Sequence, residues 1–353
     1  MRVRLDKIAS STRNVGLHRD VIVGSPIPAT VGTVVAVRVL DTKTTYNGVE
    51  DIHGRMMRVQ AGDVLAGVLG SRQALRGYTG HVPEKVEAGD IIHLLNLGGV
   101  IGQCTGASPD VGAPARVEVL GTVMKFPEMG RRVGVPANIF PGPVALCDDL
   151  PATMPPMILV AGTCMSAGKT AAACLLIREA TSRGMRVASA KVTGVALRRD
   201  SLEMMDHGSI ESLTFNDAGF PSTAGVPTAR VALGCIAALL PHRPNLLVVE
   251  LGDGLLGSYG VDDVLADSVI RRLRGALVLA ANDPVAAWGG VQWLARTQWR
   301  PAAVTGPATD NDAGSSRIAE LCGLAAINAR TETKALADAV FARLQGPILG
   351  SEG

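Results

Sequence analysis

Two domains of different character are predicted: a mostly β domain over residues 1–150, in the form of a small barrel or sandwich, and an α/β domain over residues 151–353 whose parallel sheet is flanked by helices. Three observations carry this expectation. At 353 residues with 47% hydrophobic content, the chain is long enough to bury two ordinary cores. The stretch Leu150-Pro151-Ala152-Thr153-Met154-Pro155-Pro156 is proline-rich, which favours extended backbone with few hydrogen bonds and marks a boundary. Beyond it, short apolar runs alternate with helix-length segments, the rhythm of a parallel sheet covered by helices; before it, no helix-length apolar period occurs.

In the N-terminal domain, residues 1 to about 28 carry mixed charge without a sustained period. Val34-Val35-Ala36-Val37-Arg38-Val39-Leu40 is rich in β-formers, and Asn47-Gly48 offers a tight turn. An internal echo follows, in which Ala61-Gly62-Asp63-Val64-Leu65-Ala66-Gly67 is answered by Ala88-Gly89-Asp90-Ile91-Ile92-His93-Leu94. Each copy sets a Gly-Asp turn before an apolar strand, which predicts two similar corners. Residues 115–121 read as a further strand, and the Gly/Pro-rich stretch 133–143 closes the domain. Its histidines are scattered and its aspartates mostly sit in turns, so a share in a substrate site or a subunit contact is expected of it rather than catalysis of its own. The Gly-rich, apolar tract 95–102 suits close backbone contact with another surface.

The second domain opens on Met157-Ile158-Leu159-Val160-Ala161-Gly162-Thr163-Cys164-Met165-Ser166-Ala167-Gly168-Lys169-Thr170. The apolar run reads as a buried strand and the residues from Lys169 as a helix stopped at Gly184, so Gly162 to Gly168 is the turn between them. Successive backbone N–H groups in such a turn, with the positive end of the helix behind them, cradle phosphate oxygens. Lys169 adds a mobile point charge, and the Thr170 hydroxyl can ligate Mg²⁺. Cys164, inside the loop, reads as a small buried hydrophobe before it reads as a reactive thiol. Strands at 186–192, 246–251, 276–281, 302–305 and 325–328 and helices at 228–240, 284–296, 315–322 and 331–344 follow. Ligands of open parallel sheets gather outside the carboxyl ends of the strands, which draws attention to Lys191, Glu250, Gly252 and Asn282.

The loop departs from the strict Gly-x-x-x-x-Gly-Lys-Thr pattern, since Thr163 stands six before Lys169 and the first glycine is Gly162. In this form it resembles the dethiobiotin synthetase branch of P-loop proteins, which includes amide-forming synthetases of cobalamin synthesis. The run Leu246-Leu247-Val248-Val249-Glu250-Leu251-Gly252-Asp253-Gly254 is similar to the Val-Val-Glu-Gly-Ala-Gly-Gly segment of those synthetases, whose Glu is a metal ligand. The resemblance implies that Glu250 binds Mg²⁺ with Thr170, that Lys191 binds phosphates, and that Asp200 or Asp206 completes the metal shell. A solvated helix face explains Arg198, Arg199, Asp200, Glu203 and Asp206 equally well. The nucleotide base falls to Asn282 and its neighbours or to the segment 305–311.

With 34 basic and 32 acidic residues and a net charge of +2, nothing in the composition points to nucleic acid, and 3% aromatic content leaves few stacking platforms. The first residues lack the apolar core of a signal peptide, and no apolar run is long enough to cross a bilayer, so a cytoplasmic protein is expected. Six cysteines without a Cys-x-x-Cys pair indicate neither a disulfide framework nor a zinc site. The resemblance implies an ATP- and Mg²⁺-dependent carbon–nitrogen ligase that activates a carboxylate or carbamate of a small molecule for attack by an amine. Lys169, Lys191 and Glu250 would be its catalytic groups. Two other classes stand beside it: an N-acyltransferase holding coenzyme A in the loop, since a related family includes a D-glutamate N-acetyltransferase, and a nucleotide-gated binding module. A small-molecule substrate and further copies of the chain are the expected partners.

Overall fold

Residues 1–127, 133–273 and 275–344 are described by the computed structural model. They fall into two units, each discontinuous in sequence: Met1–Val144 with Val195–Arg199 and Phe215–Ala224, and Ala145–Gly194 with Asp200–Thr214 and the chain from Gly225 onward. The segments 195–199 and 215–224 lie within the stretch 151–353, yet they belong to the first unit.

The first unit is mostly strands. Val34–Val39 lies between Ala115–Lys125 and Val64–Leu69 and runs antiparallel to both. Alternate residues of Val34–Val39 enter different cores: Val35, Val37 and Val39 pack with Leu65, Leu69 and Val117, whereas Val34 and Ala36 pack with Ala66, Val68 and Val123. Both faces of the strand are covered, which is why its sequence is nearly continuous in apolar residues instead of alternating. The echo in the sequence is an echo in structure. Gly62 and Gly89 adopt φ of +92° and +94°, a region that glycine enters without steric cost. Asp63 Oδ2 accepts the Gln60 N–H and Asp90 Oδ2 accepts the Glu87 N–H, each at 2.7 Å. The strand facing each corner closes it alike, Val39 N–H donating to Asp63 O and Val119 N–H to Asp90 O, both at 2.9 Å.

Asn47-Gly48 is not the turn expected of it. Gly48–Glu50 is already a strand, paired with Met56–Arg58, and the reversal falls at Asp51, whose Oδ1 accepts the N–H groups of His53 and Arg55 at 2.9 Å each. An aspartate that holds two downstream amides organises the loop more strongly than an Asn-Gly pair whose glycine is wanted in the ladder. The 95–102 tract meets one of the two inserted segments, with Asn96 Nδ2 donating to Ala196 O at 2.7 Å.

His93, on the strand Ile91–Leu94, accepts the Cys104 N–H at Nδ1 over 3.2 Å. Burial, then the charge of Arg116, pushes its imidazole below its ordinary value of 6.5, against a smaller pull from Asp41. The unfolded chain therefore takes up this proton first, and the associated stability is present above pH 6.5 and lost as pH falls through the folded value. The melting temperature should decline on acidification from neutrality, and His93→Gln should flatten that decline. Identical slopes for the two proteins would place the titration elsewhere.

The second unit is a seven-stranded parallel sheet with helices. Its strands are β1 Met157–Gly162, β2 Val187–Lys191, β3 Ser212–Thr214, β4 Leu246–Glu250, β5 Ala276–Ala280, β6 Ala303–Thr305 and β7 Ala325–Ala326, in the order β3-β2-β4-β1-β5-β6-β7. The helices used below are α1 Lys169–Ser182, α2 Arg199–Asp206, α6 Pro284–Arg296 and α8 Thr333–Phe341, with α3 to α5 between α2 and α6 and α7 before α8. β1 and β4 are buried along their whole length, as the central strands of a sheet covered on both faces must be. α1 buries Ala172, Ala173, Leu176, Ile177 and Ala180, a stripe at helical spacing, against β1, β4 and α8. The chain turns to one side of β1 for β2 to β4 and to the other for β5 to β7. The carboxyl end of β1 is thus the place where such a sheet receives a ligand. The three-residue β3 and the short helices at 261–272 carry too little period to be read from sequence. Among the described residues no helix is long and apolar enough to cross a membrane.

Candidate functional site

The loop after β1 is built by its backbone. Ser166 and Gly168 adopt φ of +60° and +94°, alternating with ordinary residues so that successive N–H groups turn toward one point ahead of α1. Lys169 is only 6% exposed, and its Nζ reaches back along the loop to donate to Cys164 O at 2.7 Å. The stem passes over Gly162, where a Cβ would stand 2.8 Å from Lys169 Cγ and Cδ. That glycine is therefore required by the lysine. Of the remaining loop residues, Thr163, Met165 and Ser166 are open to solvent in part or more, and Ala167 is buried.

Glu250 ends β4 in register with Val160 of β1 and Lys191 of β2, so the sheet itself brings the three segments together. Its Oε1 accepts the Thr170 hydroxyl at 3.0 Å and lies 3.5 Å from Lys191 Nζ, which also pairs with Asp200 Oδ2. Burial draws the Lys191 ammonium downward, but Glu250 and Asp200 outweigh it and carry the group above its usual value. Lys169, with Glu250 only partly opposing burial, is held below the usual lysine range. Glu250 is 1% exposed, and its Oε2 has no hydrogen-bond partner among the described residues. An orphaned carboxylate oxygen costs on the order of 1–3 kcal/mol or more, which makes this atom the natural place for a cation. The donor set fits a Mg²⁺ that arrives with a nucleotide: Glu250 and Thr170 would hold it, and phosphate oxygens and waters would fill the octahedron. Among the described residues no group of three or more His, Cys, Asp or Glu could hold a metal by itself.

Of the two aspartates expected near this ion, Asp200 is drawn into the group through Lys191. Asp206 is exposed at the last position of α2, six residues or roughly 9 Å of helix further on. Gly252 lies beneath Lys191, where a Cβ would come within 2.8 Å of Lys191 Cε, and its carbonyl accepts the Thr193 hydroxyl at 2.8 Å. A Cβ would also stand 2.2 Å from Thr193 O, so it is chiefly the close approach of that backbone that requires glycine here. Asn282 is exposed at the end of β5, with Nδ2 donating to Cys164 Sγ at 3.0 Å. Asp283 beside it caps α6 by accepting the Ala286 N–H at 2.8 Å.

A cleft does open along the loop, but on the side of β6 and β7, between Ser166 and Gly168 and the residues Gly306, Pro307, Asn328 and Arg330. Gly306 adopts φ of +95° there, close under Gly168. Asn328 holds the far wall together, donating to Thr309 O at 3.1 Å and Asp310 Oδ1 at 2.9 Å while accepting the Arg330 N–H at 2.9 Å. Sequence reasoning missed Asn328, whose only signal was its place just past a very short strand. It also gave Asp253 no role. That residue is 8% exposed at φ +70°, an uncommon conformation for a side-chain-bearing residue, and its charge acts on Lys169.

No family model matches the chain, and no curated protein matches it. Solved structures with a related arrangement include the signal recognition particle 54 kDa protein of Aeropyrum pernix K1 in complex with GDP, at 16% identity, TM-score 0.36, and 50% of this chain against 41% of that one. FtsY of Thermotoga maritima follows at 14% identity and TM-score 0.32, over 47% of this chain and 57% of that one. Chloroplast FtsY of Physcomitrella patens shows 13% identity and TM-score 0.39, over 55% and 67%. The chain spans about two fifths of the Aeropyrum protein and just over half of the Thermotoga one, and likeness at this level concerns the fold alone.

The expectation of an ATP-dependent carbon–nitrogen ligase is corrected here, because the solved structures found are signal-recognition proteins and FtsY, one of them in complex with GDP, and not ligases. The physical reason is plain. A phosphate loop, two lysines and a Mg²⁺ carboxylate serve a nucleotide alike whether its γ-phosphate passes to a carboxylate or to water, so those residues never specified the acceptor.

Proposed function

We propose that the chain is a nucleotide-gated binding module whose second unit takes a Mg²⁺–nucleoside triphosphate at the loop Gly162–Thr170. The observation that carries this reading is the double engagement of Lys191. One ammonium pairs with Glu250, a metal-type carboxylate at the end of β4, and with Asp200 at the start of α2. A divalent cation on Glu250 and phosphates near Lys191 compete for those same contacts, so binding shifts the balance between Lys191 and Asp200. The chain between these two residues includes 195–199, which belongs to the first unit. The base lies along Gly306 and Asn328 rather than at Asn282.

The test is thermal denaturation of the full chain with ATP, GTP or coenzyme A, each with and without Mg²⁺. A ligand held only by the native state at a hundred times its Kd adds about 2.7 kcal/mol. Stabilisation by a nucleoside triphosphate that needs Mg²⁺ is expected. Glu250→Gln keeps the volume and removes the charge, so it should abolish the Mg²⁺ increment while leaving a weaker metal-independent shift. Stabilisation by coenzyme A without metal, with none from either triphosphate, would overturn the reading.

A further inference from the structure

The first unit contains a buried cation with one side unpaired. Arg72 is 3% exposed, on the short strand Arg72–Gln73. Its Nη1 donates to the Tyr46 hydroxyl at 2.7 Å and to Leu95 O. The guanidinium carbon lies 5.3 Å from the Tyr46 ring centroid and 5.7 Å from that of Tyr78, and the two rings meet edge to face at 5.4 Å. Cation–π contact of this kind contributes about 0.5–2 kcal/mol, whereas a buried charge without its counter-ion costs several. Among the described residues no carboxylate pairs with Arg72, and its Nε is buried without a hydrogen-bond partner.

The unpaired side is the Nε–Nη2 edge, the planar fork that grips a carboxylate through two parallel hydrogen bonds. Next to Nη2 the chain places Gly77 at φ +128°, where a Cβ would stand 2.9 Å from that nitrogen. Any side chain there would fill the approach. The Tyr46 hydroxyl, which accepts from Nη1, keeps its own proton to donate, and Tyr46 and Lys43 are only half-buried.

We propose that the Nε–Nη2 edge of Arg72, walled by Tyr46 and Tyr78, anchors the carboxylate of a small acidic ligand in the first unit. A carboxylate suits the site better than phosphate because one planar fork and one buried positive charge match its shape and single charge. All the groups concerned belong to the first unit, so the site stands whether or not the loop of the second unit takes a nucleotide.

The test uses the full chain labelled with ¹⁵N-arginine and titrated separately with succinate and with inorganic phosphate. The Arg72 Nε–H resonance is the one lost in Arg72→Lys. Tyr46→Leu, which removes the ring over the guanidinium, identifies the same resonance independently should Arg72→Lys fail to fold. A saturable shift with succinate is expected, at least about tenfold tighter than with phosphate, or roughly 1.4 kcal/mol. Tyr46→Leu should weaken succinate about fivefold or more, the loss of one hydrogen bond. A resonance that neither anion moves would remove the site. Tighter binding of phosphate would overturn the assignment to a carboxylate.

Discussion

Replacing Lys169 with methionine is expected to weaken nucleoside triphosphate binding by about 100-fold or more while leaving the fold intact. The charge-assisted hydrogen bonds that a loop lysine makes to phosphate are worth roughly 1.5–3 kcal/mol each, and two of them amount to more than two powers of ten in affinity. Stability should not fall in step, since burial already holds this ammonium below its usual pKa and an apolar chain of similar length suits the place over Gly162. Equilibrium titration with a fluorescent triphosphate, alongside a melting curve without nucleotide, separates the two effects. Unchanged affinity in the folded variant would remove Lys169 from the site.

The second large effect is expected within the first unit. Glu50 is fully buried in the first unit, where Oε2 accepts the Arg198 N–H at 2.6 Å and Oε1 the Arg199 N–H at 2.7 Å. Arg199 is the first residue of α2, so a carboxylate borrowed from a strand 148 residues earlier in the chain caps that helix. Glu50→Ala takes a buried carboxylate away from two part-buried amides, each bond to such a charge being worth roughly 1.5–3 kcal/mol, at a cost of about 3–5 kcal/mol. For a unit of this size the melting temperature should drop by roughly 10 °C. Glu50→Gln, which retains one acceptor, should fall between. A melting temperature for Glu50→Ala equal to that of wild type would show that water replaces the carboxylate without loss.

Glu50 also shows why part of this protein was legible from its sequence and part was not. The phosphate loop announces itself because Gly168 must take positive φ, Lys169 must lie back over Gly162, and Thr170 must follow, all within one turn of chain. The paired corners at Gly62-Asp63 and Gly89-Asp90 are equally local, each aspartate holding an amide three residues before it. Glu50 and Arg72 gave no such signal, since their partners arrive from remote parts of the chain and a lone Glu or Arg in a β-rich stretch reads as surface. Which of Asp200 and Asp206 meets Lys191 turned on which of two residues on one short helix lies nearer its start. The reaction was the least legible of all, because the acceptor of a phosphoryl group leaves no mark on the loop that carries it.

The interleaving of the two units has a consequence for how the protein is made. Residues 195–199 and 215–224 complete the first unit, the latter tied in by Arg13 and Asp217 at 2.6 Å. A nascent chain that has emerged as far as residue 144 therefore holds every strand of the first unit's sheets but not the segments that complete the unit. The buried carboxylate of Glu50 and the Arg13 guanidinium must wait for their partners through a further stretch of translation, on the order of ten seconds at typical elongation rates. The ribosome's progress through the second half thus decides when the first half reaches its final stability.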